Sequence, residues 1–175
     1  MIEITIDSPT RMKKRLTKHR YVEDIIYFCI FKLMPKMKNL DITVEFKKNL
    51  YNDDGVYGSA VSTGFSKNPR EFTIEVDSAL KMRTMLQTIC HEMVHVKQYA
   101  RNELDLGMDF ELAKDGWGFV AKKYSIWKGE KVGNLDYWDQ PWEIEAHGRE
   151  CGLFIRWAEH RKLANKDWTQ LDDIE

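Results

Sequence analysis

Apolar residues alternate with polar ones over Ile2, Ile4 and Ile6, a period of two that predicts a short strand stopping at Ser8-Pro9. Ser8 is placed to cap a following helix, whose first turns carry the basic run Arg11, Lys13, Lys14, Arg15, Lys18 and Arg20. Val22, Ile25, Ile26, Cys29, Leu33 and Met34 then recur at helical spacing until Pro35, which predicts a core helix. Period two returns at Ile42, Val44 and Phe46. Asn52-Asp53-Asp54-Gly55 predicts a turn, Val56 to Phe65 another strand, Asn68-Pro69 a second turn, and Phe72, Ile74 and Val76 a further strand. Three antiparallel strands are expected to form a small sheet, with Ile2 to Ile6 as a candidate fourth.

Asp77 or Ser78 is expected to cap a long helix reaching about Asn102. Along it Met82, Leu86, Ile89, Met93, Val96 and Ala100 make a stripe at alternating spacings of four and three, the mark of a face packed on a core. At about 100° per residue, His91, His95, Thr84, Thr88 and Gln98 fall on the opposite side, which is free to line a cleft. Residues 103–140 carry mixed signals: a short helix near Asp109 to Lys114, then a hairpin over Tyr124 to Lys131 around Lys128-Gly129, within an otherwise irregular insert. Pro141 suits the first turn of a last helix running to about Leu163. The pattern predicts one α+β domain over residues 1–175: a small, twisted, mainly antiparallel sheet packed with helices.

Composition narrows the function. The 175 residues, 43% of them apolar and 31% charged, suffice for one core. Lys and Arg number 27 against 28 Asp and Glu, so no whole-molecule field steers the chain onto nucleic acid or an anionic membrane. The longest apolar run, Ile25 to Phe31, falls far short of the roughly 20 residues that cross a bilayer, and the N-terminus lacks the basic start and apolar middle of a secretory signal. A soluble cytoplasmic protein without membrane partners is expected. Cys29, Cys90 and Cys151 are widely spaced with no CxxC, which predicts reduced thiols. All six tryptophans lie between Trp117 and Trp168. Trp142, Leu153 and Trp157 fit the buried side of the last helix, whereas Trp117, Trp127 and Trp138 are candidates for lining a cleft.

The chemistry sits in His91-Glu92-Met93-Val94-His95, an HExxH motif. Residues four apart stand one turn up the same helix face, so both imidazoles reach one zinc ion, while Glu92, about 100° round, is free to take a proton from water. Thr88, Ile89, Cys90, Met93, Val94 and Val96 around the motif are uncharged, unlike a solvated helix. A catalytic zinc needs a third protein ligand and an open position. The metzincin extension requires glycine at position 98 and histidine at 101, where this chain has Gln98 and Arg101. Glu143, in the first turn of the last helix, is favoured as the third ligand because the helix dipole there stabilises an ionised carboxylate. Glu145 is the alternative and His147 stands behind it. Ala146, Gly148 and Gly152 are small, which predicts a close approach of the last helix to the HExxH helix.

HExxH followed by the ExxA of Glu143-Ile144-Glu145-Ala146 resembles the gluzincin group of zinc metallopeptidases. The wording His-Glu-Met-Val-His-Val-Lys-Gln with Pro-Trp-Glu-Ile-Glu-Ala is similar to that of small phage-encoded metallopeptidases labelled SprT-like. The resemblance implies a minimal zincin-like fold with one zinc ion between the HExxH helix and the C-terminal helix, in a bacterial or phage-infected cytoplasm. It implies Glu143 as a ligand and a supporting role for the residue four further on, where His147 replaces the commoner Asp or Asn. Lys97 departs from the apolar residue common at its position, and the stretch from His95 to Glu143 is longer than compact members use.

The expected function is zinc-dependent hydrolysis of a peptide or protein substrate. Zinc on His91, His95 and Glu143 would polarise water and carbonyl, Glu92 would act as general base, and Tyr137, Tyr124 or His147 would supply a second oxyanion donor. Substrate would add as a strand to an exposed sheet edge, with Val56 to Phe65 as the candidate and Gly58 and Gly64 allowing close backbone approach. The competing expectation is a non-catalytic, zinc-stabilised binding protein, whose basic helix or tryptophan-rich insert engages a protein or nucleic-acid partner.

Overall fold

A computed structural model describes residues 1–7, 15–63, 66–112, 117 and 119–170. The Ser8 cap, much of the basic run, Gly64, Phe65 and Lys114 lie outside the described residues.

The chain begins as a strand, helix and strand: β1 (Ile2–Asp7), α1 (Arg15–Leu33) and β2 (Leu40–Lys47). A helical crossover returns the chain to the same end of the sheet, so β1 and β2 pair in parallel, with Ile4 opposite Ile42. After α2 (Leu50–Asp54), β3 (Gly58–Ser62) and β4 (Glu71–Asp77) complete a sheet of order β1-β2-β4-β3. β2 and β4 are also parallel, and only β3 and β4 run antiparallel. The sheet is therefore mixed and not mainly antiparallel. Alternation of apolar residues chooses the buried face of a strand but carries no information about its direction.

Ile42, Val44, Phe72, Ile74 and Val76 on that buried face share one core with Ile25, Ile26 and Cys29 of α1 and with Leu86, Ile89 and Met93 of α3 (Met82–Ala100). α3 also packs against α4 (Pro141–His160), which adds Ala146, Leu153, Phe154 and Trp157. Trp157 Nε1 donates to Asp24 Oδ2 at 2.8 Å and ties α4 to α1. Covered from several sides, α3 is buried on its polar face as well as its apolar one from Ile89 to Gln98.

Local expectations change in four places. Asn52 to Gly55 is no simple turn: α2 ends at Gly55, whose φ of 74° suits a glycine and whose N–H donates to Tyr51 O. Asp77 and Ser78 do not cap α3, which starts from Lys81 with no side-chain cap. Asp77 instead accepts the Tyr51 and Ala79 amides at 3.0 and 2.8 Å. Within the expected irregular insert, β5 (Leu104–Leu112), β6 (Phe119–Trp127) and β7 (Glu130–Val132) form an antiparallel sheet. The helix expected near Asp109 is strand, because the ladder pairing Asp109 with Lys122 and Phe110 with Ala121 gives that segment its backbone partners. The hairpin at Lys128-Gly129 stands where expected, with both residues at positive φ.

Pro141 opens α4 as expected. A Cβ at Gly148 or Gly152 would meet nothing within 4 Å, so neither glycine is needed for a close helix contact, whereas Ala146 is fully buried. The result is a small α+β domain with four α-helices among the described residues, none long and apolar enough to cross a membrane.

Candidate metal centre

One helical turn places His91 and His95 on the same side of α3, their Nε2 atoms 3.1 Å apart. The first turn of α4 brings Glu143 to both: Oε2 lies 3.3 Å from His91 Nε2, and Oε1 lies 3.4 Å from His95 Nε2. A tetrahedral centre with bonds of about 2.0–2.1 Å has edges of about 3.3–3.4 Å, close to these separations, with each histidine facing a different oxygen of the one carboxylate. All three residues are buried. Glu143 Oε2 accepts no hydrogen bond, a deficit that a cation would satisfy.

The outer nitrogens are tied off. His91 Nδ1 lies 2.7 Å from Glu150 Oε2, and His95 Nδ1 lies 2.9 Å from Gln98 Oε1. Gln98 Nε2 donates to Trp142 O and to Glu145 Oε2, which turns the amide oxygen toward His95. With Nδ1–H donated to these acceptors, Nε2 is the nitrogen each ring turns to the centre, where a bound cation would take the place of its proton. Burial opposes charge on His91, but Glu143 and Glu150 outweigh it and raise its pKa to about 9. Burial would likewise raise Glu143, yet His91 and His95 hold it well below the usual carboxylate range. Burial pushes Glu92 up to about 7 against the pull of the two histidines.

Glu92 borders the edge strand. A Cβ at Gly58 would stand 2.7 Å from Thr88 Cγ2, 3.0 Å from Glu75 O and 3.1 Å from Glu92 Oε1, so glycine is what lets β3 cross α3 here. His91 and Glu92 open into a cleft of about 1050 Å³ that also touches Gly58, Gln87, Tyr137 and His147. Donor atoms of His147 lie within 4.8 Å of those of His91 and Glu143, and its Nε2 is 3.1 Å from Tyr137 Oη.

Other expected participants stand elsewhere. Glu145 is engaged by Lys97 Nζ at 2.8 and 3.0 Å and by Arg149 Nε at 3.0 Å, away from the centre. Tyr124 lies on β6 against Gly107 and Lys131, outside the cleft. Trp138 lines the cleft, but Trp117 and Trp127 do not; Trp127 packs near Trp142, and Trp168 lines the cleft instead. Glu150 was not anticipated, although it sits two turns beyond Glu143 on the same face of α4. Gln98, on the polar face of α3, meets His95 from three residues on, a spacing that is the sequence signal for its role. No protein-family model matches the chain, and no curated protein or solved structure matches it either.

Proposed function

We propose that the protein is a zinc-dependent metallopeptidase of the gluzincin type. The convergence of His91 Nε2, His95 Nε2 and the Glu143 carboxylate at 3.1–3.4 Å is the observation that carries this reading. Bound by these residues, zinc would supply a Lewis acid that polarises the scissile carbonyl and acidifies water. Glu92 takes the proton of the attacking water on its carboxylate and passes it to the departing amide nitrogen as the C–N bond breaks. Glu150 and Gln98 hold the imidazoles in their working tautomer. Tyr137 and His147, on the α4 side of the cleft, are the donors nearest to hand for the carbonyl oxygen as charge develops there. The substrate backbone extends along the open edge of β3, where Gly58 leaves room beside Glu92.

Metal analysis of the purified protein is expected to find about one zinc per chain, and the His91→Ala and Glu143→Ala variants are expected to lose it. Glu92→Gln should keep zinc and lose cleavage of a mixed peptide pool by about 100-fold or more. A wild-type protein unable to bind zinc ends the reading, and undiminished cleavage by Glu92→Gln removes Glu92 as the base.

The closeness of His147 to His91 and Glu143 favours a second reading. As a fourth ligand His147 would close the coordination sphere, and zinc would only join α3 to α4 in a non-catalytic binding protein. His147→Ala separates the two readings. A large loss of zinc affinity, with no cleavage by the wild type, supports the closed site; unchanged affinity supports the open one.

A further inference from the structure

Large exposed apolar side chains collect where the cleft passes the centre. Tyr51 and Tyr57, on the β3 side, stack at 4.7 Å between ring centroids and 20° between planes, yet each is about half exposed. Val56 beside them is 42% exposed and lines the same cleft. On the α4 side, Trp138 is 70% exposed and stands 5.0 Å from the His147 ring and 5.1 Å from Tyr137. These rings remain in water while the fold has a core to hide them in, which is the pattern of a contact surface awaiting a ligand.

The tyrosine pair is also built in. Asp77, buried at the end of β4, accepts the Tyr51 N–H at 3.0 Å and donates its own N–H to Tyr57 O at 3.0 Å. One residue thus grips the backbone of both rings. Gly58, next to Tyr57, fixes the strand against Thr88 and Glu92, so the wall is registered to the proposed base by a single peptide unit. Tyr51, Tyr57 and Trp138 offer flat, uncharged faces, which suit an aromatic side chain better than a small or acidic one.

We infer that Tyr51, Tyr57 and Trp138 form an aromatic subsite, so that the preferred peptides carry Phe, Tyr or Trp beside the bond to be cleaved. The inference rests on the peptidase reading for the reaction but not for the binding preference. The Glu92→Gln protein, in which binding is read without turnover, is titrated calorimetrically with short peptides differing only in a central Phe, Lys or Ala. The Phe peptide is expected to bind about five- to tenfold more tightly than the Ala peptide. Tyr57→Ala or Trp138→Ala in that background should cut the preference to about twofold, whereas Tyr57→Phe should keep it, because the ring face and not the hydroxyl makes the contact. Circular dichroism checks folding, and Trp138→Ala, on an exposed turn, carries the test if Tyr57→Ala does not fold.

Equal affinity for the Phe and Ala peptides, tighter binding of the Lys peptide, no binding of any, or a preference that survives the alanine variants overturns the subsite. Binding preference without cleavage by the wild type removes the peptidase reading and leaves the subsite standing. Cleavage without preference does the reverse.

Discussion

Asp77 is a buried acid whose two jobs are local: its carboxylate receives two amides, and its own amide holds Tyr57. Hydrogen bonds from Tyr51 and Ala79, acting against burial, hold its pKa below the ordinary carboxylate value. A carboxylate depressed on folding stabilises the native state above its unfolded pKa of about 3.9, and that stability is lost as pH falls through the folded pKa. Asp77→Asn should therefore cost about 1–2 kcal/mol at pH 7 in chemical denaturation, because one amide loses its charged acceptor. The gap from the wild type should narrow below about pH 4. A gap that is the same at pH 7 and pH 3 would count against this role. The sequence made Asp77 a helix cap: the chemistry, a carboxylate receiving backbone N–H groups, was legible, but not which backbone it would serve.

Among the elements, β3 and α3 depend on one missing side chain. Gly58→Ala would place a methyl group against Thr88, the Glu75 carbonyl and Glu92, and the backbone oxygen cannot move without disturbing the β3–β4 pairing. The expected result is a loss of about 1–3 kcal/mol and a marked fall in peptide cleavage with zinc content unchanged. A variant as stable and active as the wild type would show that the approach is not required. Strand cores and the proline-marked helix limits were readable because period and punctuation are local: Pro35 and Pro141 mark their helices, and Phe72, Ile74 and Val76 mark a strand. Parallel pairing was missed because alternation alone carries no direction; the helix between the first two strands, which a hairpin lacks, was the signal for β1 and β2. The glycines of α4 misled for a related reason: small size signals a close contact only when the residue faces the neighbour, and Gly148 and Gly152 face away.

For the whole molecule, the candidate centre draws on helices far apart in the chain, so a metal there would act as a bolt between α3 and α4. Saturating zinc adds about 3–4 kcal/mol when free metal is several hundred to a thousand times its dissociation constant. Stripping zinc with a chelator should then lower the melting temperature by about 5–10 °C, and Glu143→Ala should show little response. Equal melting of the wild-type protein with and without chelator would remove the bolt. Much of the candidate centre is legible in the sequence, because HExxH and a helix-opening Glu143 are short-range patterns. Glu150 escaped because its task is defined by a partner on another helix.

The β5-β6-β7 sheet grows from the interval between the two motif-bearing helices, anchored where Glu103 N–H meets Gln98 O and Lys128 N–H meets Glu103 O, both at 2.7 Å. The long β5–β6 ladder pairs nine residues of one strand with nine of the next, and none of its described residues touches the cleft. Adding or deleting two residues in each long strand would keep every side chain on its present face. Chain length between His95 and Glu143 is thus free to drift while their separation in space is not. Distant kin of this chain are better sought by the triangle of Nε2, Nε2 and carboxylate than by any fixed interval between motifs.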